Sequence, residues 1–225
     1  MDTIAHWING AAVPSTSGNT SPVYNPATGE QASLVGLASV AEVEAAVVAA
    51  KAAFPGWRST SLTKRAEIMF RFRELIDANK LKIATLVSNE HGKVVSDAMG
   101  EVSRGLENVE YACGISELIK GSYSEQAATG VDVYSIRQPL GVVAGVTPFN
   151  FPAMVPMWMF SNAIACGNTF ILKPSEKNPS AVMFIAELFA QAGLPAGVFN
   201  VVQGDKLAVD TILEHDDIAA VSFVG

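Results

Sequence analysis

Residues 141–176, GVVAGVTPFNFPAMVPMWMFSNAIACGNTFILKPSE, decide the fold. Residues 141–146 are a short apolar run rich in β-branched side chains, which predicts a buried strand. Pro148 and Pro152 bracket Asn150 and force a turn, because each fixes φ and restricts the residue before it. Pro152 suits the start of a helix, where a missing N–H costs nothing. The segment to Cys166 is apolar on nearly every side, so the helix is expected inside the molecule. Pro156 removes one more N–H and predicts an irregular first turn or a later start. Gly167 and Asn168 can stop the helix with a left-handed residue. Residues 169–173 form a second strand, ended by Pro174. The whole is one βαβ unit, which builds parallel sheets with ligands beyond the carboxyl ends of the strands. Asn150 and Lys173 both fall near such ends.

The alternation continues downstream. Residues 180–192 read as a helix stopped by Gly193 and Pro195, and residues 198–202 as a strand. Gly204-Asp205 is a turn whose Asp can cap a helix running through Leu213, and residues 218–224 are the last strand. The order from Gly141 is βαβαβαβ, which predicts an α/β fold with a doubly wound parallel sheet. A buried strand that closes on a terminal Gly225 predicts a fragment of a longer protein, with the sheet incomplete at its C-terminus.

Upstream, residues 1–38 read as turns and short strands, with Asn9-Gly10 suited to a tight hairpin between residues 5–8 and 11–13. Asn25-Pro26 and Thr28-Gly29 mark further turns. Ser39 with Glu42 fits a capping box before an Ala-rich helix that Pro55-Gly56 should close. Helical spacing resumes over residues 61–90, divided at Asn79 and stopped by Gly92. Residues 96–119 predict another long helix, weakened at Gly100 and Gly105. Residues 121–129 read as a small polar linker, and residues 131–137 as an exposed strand, one arm of a hairpin that pairs with another chain. The expected division is residues 1–122 as the N-terminal helical part, 123–140 as an oligomerisation arm and 141–225 as the βαβ core.

The 225 residues are 49% apolar and 16% charged, a globular balance that leaves room for a sizeable core. A net charge of −7 without a Lys/Arg cluster argues against a nucleic-acid surface. Pro152, Pro156 and Asn162 interrupt the most apolar run, so it is too short to span a bilayer. No secretory signal pattern is visible, and Cys113 and Cys166 give neither a disulfide framework nor a metal spacing, so a reducing cytoplasm is the simplest home. Those cysteines read as small buried hydrophobes, and Met154, Met157, Trp158 and Met159 as core. His6, His91 and His215 are too scattered for a metal, with His215 a helix-end cation. Arg65, Arg71 and Arg73 read as a solvated helical face.

Several pieces together resemble the aldehyde dehydrogenase family. They are Asn25-Pro26-Ala27-Thr28-Gly29-Glu30, Ala53-Phe54-Pro55-Gly56-Trp57, Pro139-Leu140-Gly141-Val142-Val143, Pro148-Phe149-Asn150-Phe151-Pro152 and Lys173-Pro174-Ser175-Glu176. Gly193-Leu194-Pro195-Ala196-Gly197-Val198 and Phe223-Val224-Gly225 fit as well. Most members carry Trp where this chain has Phe149. That Phe, with Gly105-Leu106-Glu107, Tyr111-Ala112-Cys113 and Ala153-Met154, resembles the CoA-acylating branch that oxidises methylmalonate or malonate semialdehyde.

The resemblance implies a Rossmann-like NAD-binding domain, NAD as cofactor, coenzyme A as co-substrate and a homo-oligomer, dimer or tetramer. The catalytic Cys and general-base Glu would lie beyond Gly225, and neither Cys113 nor Cys166 matches the nucleophile's motif. The parent would oxidise a semialdehyde to an acyl-CoA, losing CO2, and this chain alone would be inactive. Asn150 would be catalytic, its amide N–H donating to the oxyanion, although an Asn beside a proline can simply satisfy a turn. Lys173 and Glu176 would hold the adenosine ribose hydroxyls, with Glu176 repelling the 2′-phosphate of NADP. A strand-end Lys snorkelling to water beside a solvated Glu is the plain alternative. Thr147, Pro148, Phe149, Ser175, Lys177, Gly204, Phe223 and Gly225 complete the expected cofactor contacts. Lys177 replaces an Arg common in the branch and cannot copy its planar contact. A CoA-independent dehydrogenase giving a free acid, and a non-catalytic nucleotide-binding module, stay open.

Overall fold

The computed structural model describes residues 2–225. The N-terminal segment contributes β1 (Thr3–Ile4), β2 (His6–Ile8), β3 (Ala11–Val13), β4 (Thr20–Asn25) and β5 (Glu30–Gly36). Helices α1 (Val40–Ser59), α2 (Leu62–Ala78), α3 (Lys80–His91), α4 (Val95–Cys113) and α5 (Ile115–Leu118) follow, then a hairpin of β6 (Tyr123–Ala128) and β7 (Val131–Tyr134). The remainder alternates: β8 (Val142–Val146), α6 (Met154–Ala165), β9 (Thr169–Lys173), α7 (Ser180–Gln191), β10 (Phe199–Val201), α8 (Lys206–Glu214) and β11 (Ile218–Phe223).

The main sheet has the order β11-β8-β9-β10-β2-β3. Its first four strands are parallel neighbours, as the alternation predicts. The N-terminal hairpin adds an antiparallel edge through β2. Positive φ at both Asn9 and Gly10 gives that hairpin the twist its strands need. Chain order β8, β9, β10 steps one way across the sheet, and β11 then returns to the far side of β8. The sheet therefore reverses between β8 and β11, the kind of place where doubly wound folds leave a crevice.

Period-2 alternation divides the strands between two cores. Phe170 and Leu172 face α6 and α7, whereas Ile171 faces α1 and α8. The larger core is aromatic at its centre. Phe72 stacks on Phe189 with centroids 4.0 Å apart, and Phe160 lies 4.7 Å from Phe199. The capping box of Ser39 and Glu42 starts α1, Asn79 divides α2 from α3, and left-handed Gly92 ends α3.

Some elements depart from expectation. α1 runs through Pro55 to Ser59. Tertiary contact overrides the breaker, since buried Trp57 donates from Nε1 to the Ile164 carbonyl at 2.9 Å. Arg65 is not on a solvated face. It is buried and donates to the carbonyls of Arg58 at 2.8 Å and Ala165 at 3.3 Å, supplying donors to the ends of α1 and α6. Trp158 is half-exposed rather than core, and its Nε1 donates to the Arg104 carbonyl. Cys166 is only partly buried. Residues 123–128 form a strand rather than a linker, because β7 supplies their partners and Asp132 ties both Tyr123 and Gln126.

Candidate functional site

The loop after β8 begins where the sheet reverses. The Thr147 N–H donates to the Lys173 carbonyl at 3.2 Å, and the Val224 N–H to the Val146 carbonyl at 3.1 Å. β8 is thereby tied to both neighbours where it ends. Thr147 is buried and Pro148 half-buried, while Phe149 and Asn150 are exposed. The Asn150 side-chain amide has no partner among the described residues, so both its N–H groups remain available to a ligand.

The backbone of this loop is held on two flanks. Asn178, 2% exposed, donates from Nδ2 to the Phe149 carbonyl at 2.5 Å. Lys93 donates from Nζ to the Asn150 carbonyl at 2.9 Å. The same ammonium lies 2.6 Å from Glu101 and 4.6 Å from the centre of the Phe151 ring. Glu101 in α4 is fully buried, and its Oε1 accepts from the N–H groups of Ala153 at 2.8 Å and Met154 at 3.2 Å, where α6 begins. Pro152 and Pro156 leave this first turn short of donors, so the carboxylate meets the ones that remain.

Lys173 closes β9 and is 6% exposed. Its Nζ is 3.6 Å from Glu176 Oε2, beyond hydrogen-bond distance. Burial pushes its pKa down, against the opposing effect of Glu176 and Asp205. A buried ammonium with no close acceptor suits a ligand rich in hydroxyl groups, and the unpartnered, buried Thr147 Oγ1 lies on the neighbouring strand end. Ser175 Oγ accepts from the Lys177 N–H at 3.2 Å and shapes the turn carrying Glu176. Lys177 Nζ sits 4.7 Å from the centre of the Phe149 ring. These features fit the ribose of a dinucleotide such as NAD.

Gly204 is buried after β10, where a Cβ would come within 2.5 Å of the Ala208 Cβ, so packing on α8 already accounts for the glycine. Phe223 pairs in register with Val146 and is exposed, as are Val224 and Gly225 after it. Asn150, Lys173, Gly204 and Phe223 thus share the carboxyl edge of the sheet. Two hollows nearby do not contain them all. One of about 440 Å³ is lined by Tyr24, Pro26, His91, Phe149, Glu176 and Lys177, yet by neither Asn150 nor Lys173. Another of about 510 Å³ is lined by Lys93, Ser96, Asp97, Gly100, Arg104 and Phe151.

Lys93, Glu101, Arg104 and Asn178 escape sequence reasoning. Glu101 and Arg104 lie three apart on α4, between Gly100 and Gly105. A Cβ at Gly105 would lie 2.2 Å from Met157 Cε and 3.3 Å from Met154 Cα, so α4 and α6 meet closely here. The small residues were a signal of close approach; the buried charge between the helices had none. Neither cysteine lies at this edge. Burial raises Cys113 to about 11. Cys166 follows the far end of α6, about 18 Å along the helix from its start. Among the described residues no cluster of His, Cys, Asp or Glu could hold a metal ion, and no helix is long and apolar enough to cross a membrane.

Known proteins match nearly the whole chain. The model of the aldehyde dehydrogenase family matches residues 12–225. A malonate-semialdehyde dehydrogenase of Pseudomonas aeruginosa is 54% identical over 225 residues, which cover 100% of this chain and 45% of that protein. The mitochondrial, acylating methylmalonate-semialdehyde dehydrogenase of Arabidopsis thaliana is 52% identical, covering 99% of this chain and 37% of its own. A Sinorhizobium meliloti structure, described as a putative methylmalonate-semialdehyde dehydrogenase complexed with NAD, superposes with a TM-score of 0.98 at 55% identity. It matches 100% of this chain and 46% of that one. The chain therefore spans less than half the length of these relatives.

Proposed function

The chain belongs to the aldehyde dehydrogenase family, and we propose that it is the N-terminal, cofactor-binding part of an NAD-dependent, CoA-acylating malonate- or methylmalonate-semialdehyde dehydrogenase. The observation that carries this reading is the shared strand edge, which bears both a free amide at Asn150 and a buried, under-partnered ammonium at Lys173. Relatives more than 50% identical over nearly the whole chain support the substrate class.

In this reading Lys173 donates to the adenosine ribose hydroxyls and Glu176 accepts from them. Thr147, Phe149, Ser175, Lys177, Gly204, Phe223 and Gly225 border the cofactor. Bound NAD supplies the acceptor for the two electrons leaving the aldehyde. Asn150 presents its amide N–H to the aldehyde oxygen as negative charge develops on it, a contribution of about 3 kcal/mol. The attacking thiolate and the general base come from polypeptide outside these 225 residues, with CoA as the acyl acceptor. The substrate's own carboxylate meets Arg104. Lys93 beside it is neutralised by Glu101, whereas Arg104 has no ion pair among the described residues. The 123–140 arm serves assembly, its Tyr123, Val133 and Tyr134 being exposed. Two free cysteines suit a reducing cytoplasm.

The test has two arms. Calorimetric titration of this chain should show NAD binding more tightly than NADP. The full-length protein, given malonate semialdehyde, NAD and CoA, should release an acyl-CoA thioester detectable by mass spectrometry. A free acid as the sole product would overturn the acylating assignment, and no oxidation at all would overturn the activity. In the full-length protein, Asn150→Ala should preserve NAD affinity and lower turnover about 100-fold or more.

A further inference from the structure

We propose that Lys93 and Glu101 are positioning residues for Asn150, forming a buried ionic buttress that fixes the peptide from which the oxyanion donor projects. The proposal rests on the reading of Asn150 as that donor.

A fully buried carboxylate is costly unless its lone pairs are used. Those of Glu101 are used at three points bearing on a single stretch of chain. Oε1 takes the N–H groups of Ala153 and Met154, and Oε2 takes the Lys93 ammonium at 2.6 Å. Lys93 passes the restraint on by donating to the Asn150 carbonyl at 2.9 Å, with the Phe151 ring against its charge. On the other flank Asn178 holds the Phe149 carbonyl. Both peptide planes around Asn150 are therefore pinned through their oxygens. Two consequences matter for chemistry. The Asn150 side chain leaves a backbone that cannot rotate freely, so its amide is aimed before substrate arrives. The Asn150 carbonyl is also held toward Lys93. Released, it could turn its partial negative charge toward the crevice and repel the oxyanion that the side chain should bind.

The NAD contacts at Lys173 and Glu176 are carried by a different strand end, and Thr147 and Phe149 keep their own ties to the Lys173 carbonyl and Asn178, so loosening the buttress should spare cofactor affinity. The test uses the full-length protein and the variant Lys93→Met. Because that variant leaves Glu101 without its cation, the pair Lys93→Met with Glu101→Gln provides a second case. The pair removes both charges and keeps an oxygen for the α6 N–H groups. Each should lower kcat with malonate semialdehyde roughly 10- to 100-fold, the scale of a misplaced catalytic group. NAD affinity should stay within about twofold of wild type. In an Asn150→Ala background the same changes should cost less than about twofold, since there is no donor left to aim.

An unchanged kcat in both variants, an equal fall in both backgrounds, or a parallel loss of NAD affinity would each overturn the proposal. If Asn150→Ala alone leaves kcat unchanged, the oxyanion reading fails and takes the buttress with it. That outcome is distinct from a functional Asn150 whose turnover is indifferent to Lys93.

Discussion

Replacing Glu176 with Gln should change which dinucleotide the chain prefers. Glu176 Oε2 stands 3.6 Å from Lys173 Nζ, and its side chain is 31% exposed. A carboxylate accepting from a ribose hydroxyl would sit about 4 Å from a 2′-phosphate. At that separation, with a partly solvated effective dielectric of about 40, one pair of like charges costs about 2 kcal/mol, or roughly 30-fold in affinity. Glu176→Gln removes that repulsion but keeps an amide oxygen for the hydroxyl. Loss of the charge from that hydrogen bond should weaken NAD by about 1 kcal/mol, roughly fivefold. The two effects multiply, so the ratio of NADP to NAD dissociation constants should fall roughly 150-fold. Calorimetric titration of the wild-type chain and the variant with both dinucleotides measures that ratio. Raising the salt should shrink the discrimination in wild type and leave the variant almost unmoved. A parallel drop in both affinities, with the ratio intact, would refute the assignment of Glu176 to the ribose.

The remaining expectations concern stability. Burial pushes the Glu42 carboxyl up, but hydrogen bonds from the Ser39 and Thr16 N–H groups and the Ser39 and Ser15 hydroxyls outweigh it and hold the group at about 2. Its contribution is thus present above pH 4.5 and lost as pH falls toward 2. Glu42→Gln should cost up to ~3 kcal/mol in urea unfolding at pH 7 and progressively less below pH 4, whereas a pH-independent cost would contradict this origin. Gly197→Ala places a methyl 2.7 Å from the Ala49 carbonyl at a φ of +80°. It should destabilise by about 2–3 kcal/mol in the same assay, and a neutral result would contradict the conformation. Phe160→Ala, at the centre of the aromatic core beside Phe72, Phe189 and Phe199, should cost about 3–5 kcal/mol by the same measurement. A loss under 1 kcal/mol would mean the cluster repacks.

Local chemistry settled a large part of this molecule. Pro148, Pro152 and the β-branched run before them define a strand, a turn and a helix start, because each acts through its own backbone torsions. Ser39 with Glu42, Asn9-Gly10 and Gly92 likewise act within a few residues of themselves. Alternating strands and helices after Gly141 then leave a parallel sheet as the natural arrangement, with Asn150 and Lys173 at one of its edges. Long-range pairing lay outside such reasoning. Pro55 stops a helix in isolation, yet Trp57 finds the Ile164 carbonyl and α1 continues. Arg65 resembles its exposed neighbours in spacing, yet it alone meets the carbonyls of two helix ends. Glu101 and Lys93 are eight residues apart and look like surface charges. Only the approach of α4 to α6, permitted by Gly105, buries Glu101 and sets half-buried Lys93 against the Asn150 loop. Torsional preferences belong to residues and travel with the sequence, but the partner of a buried charge exists only once distant segments have packed around it.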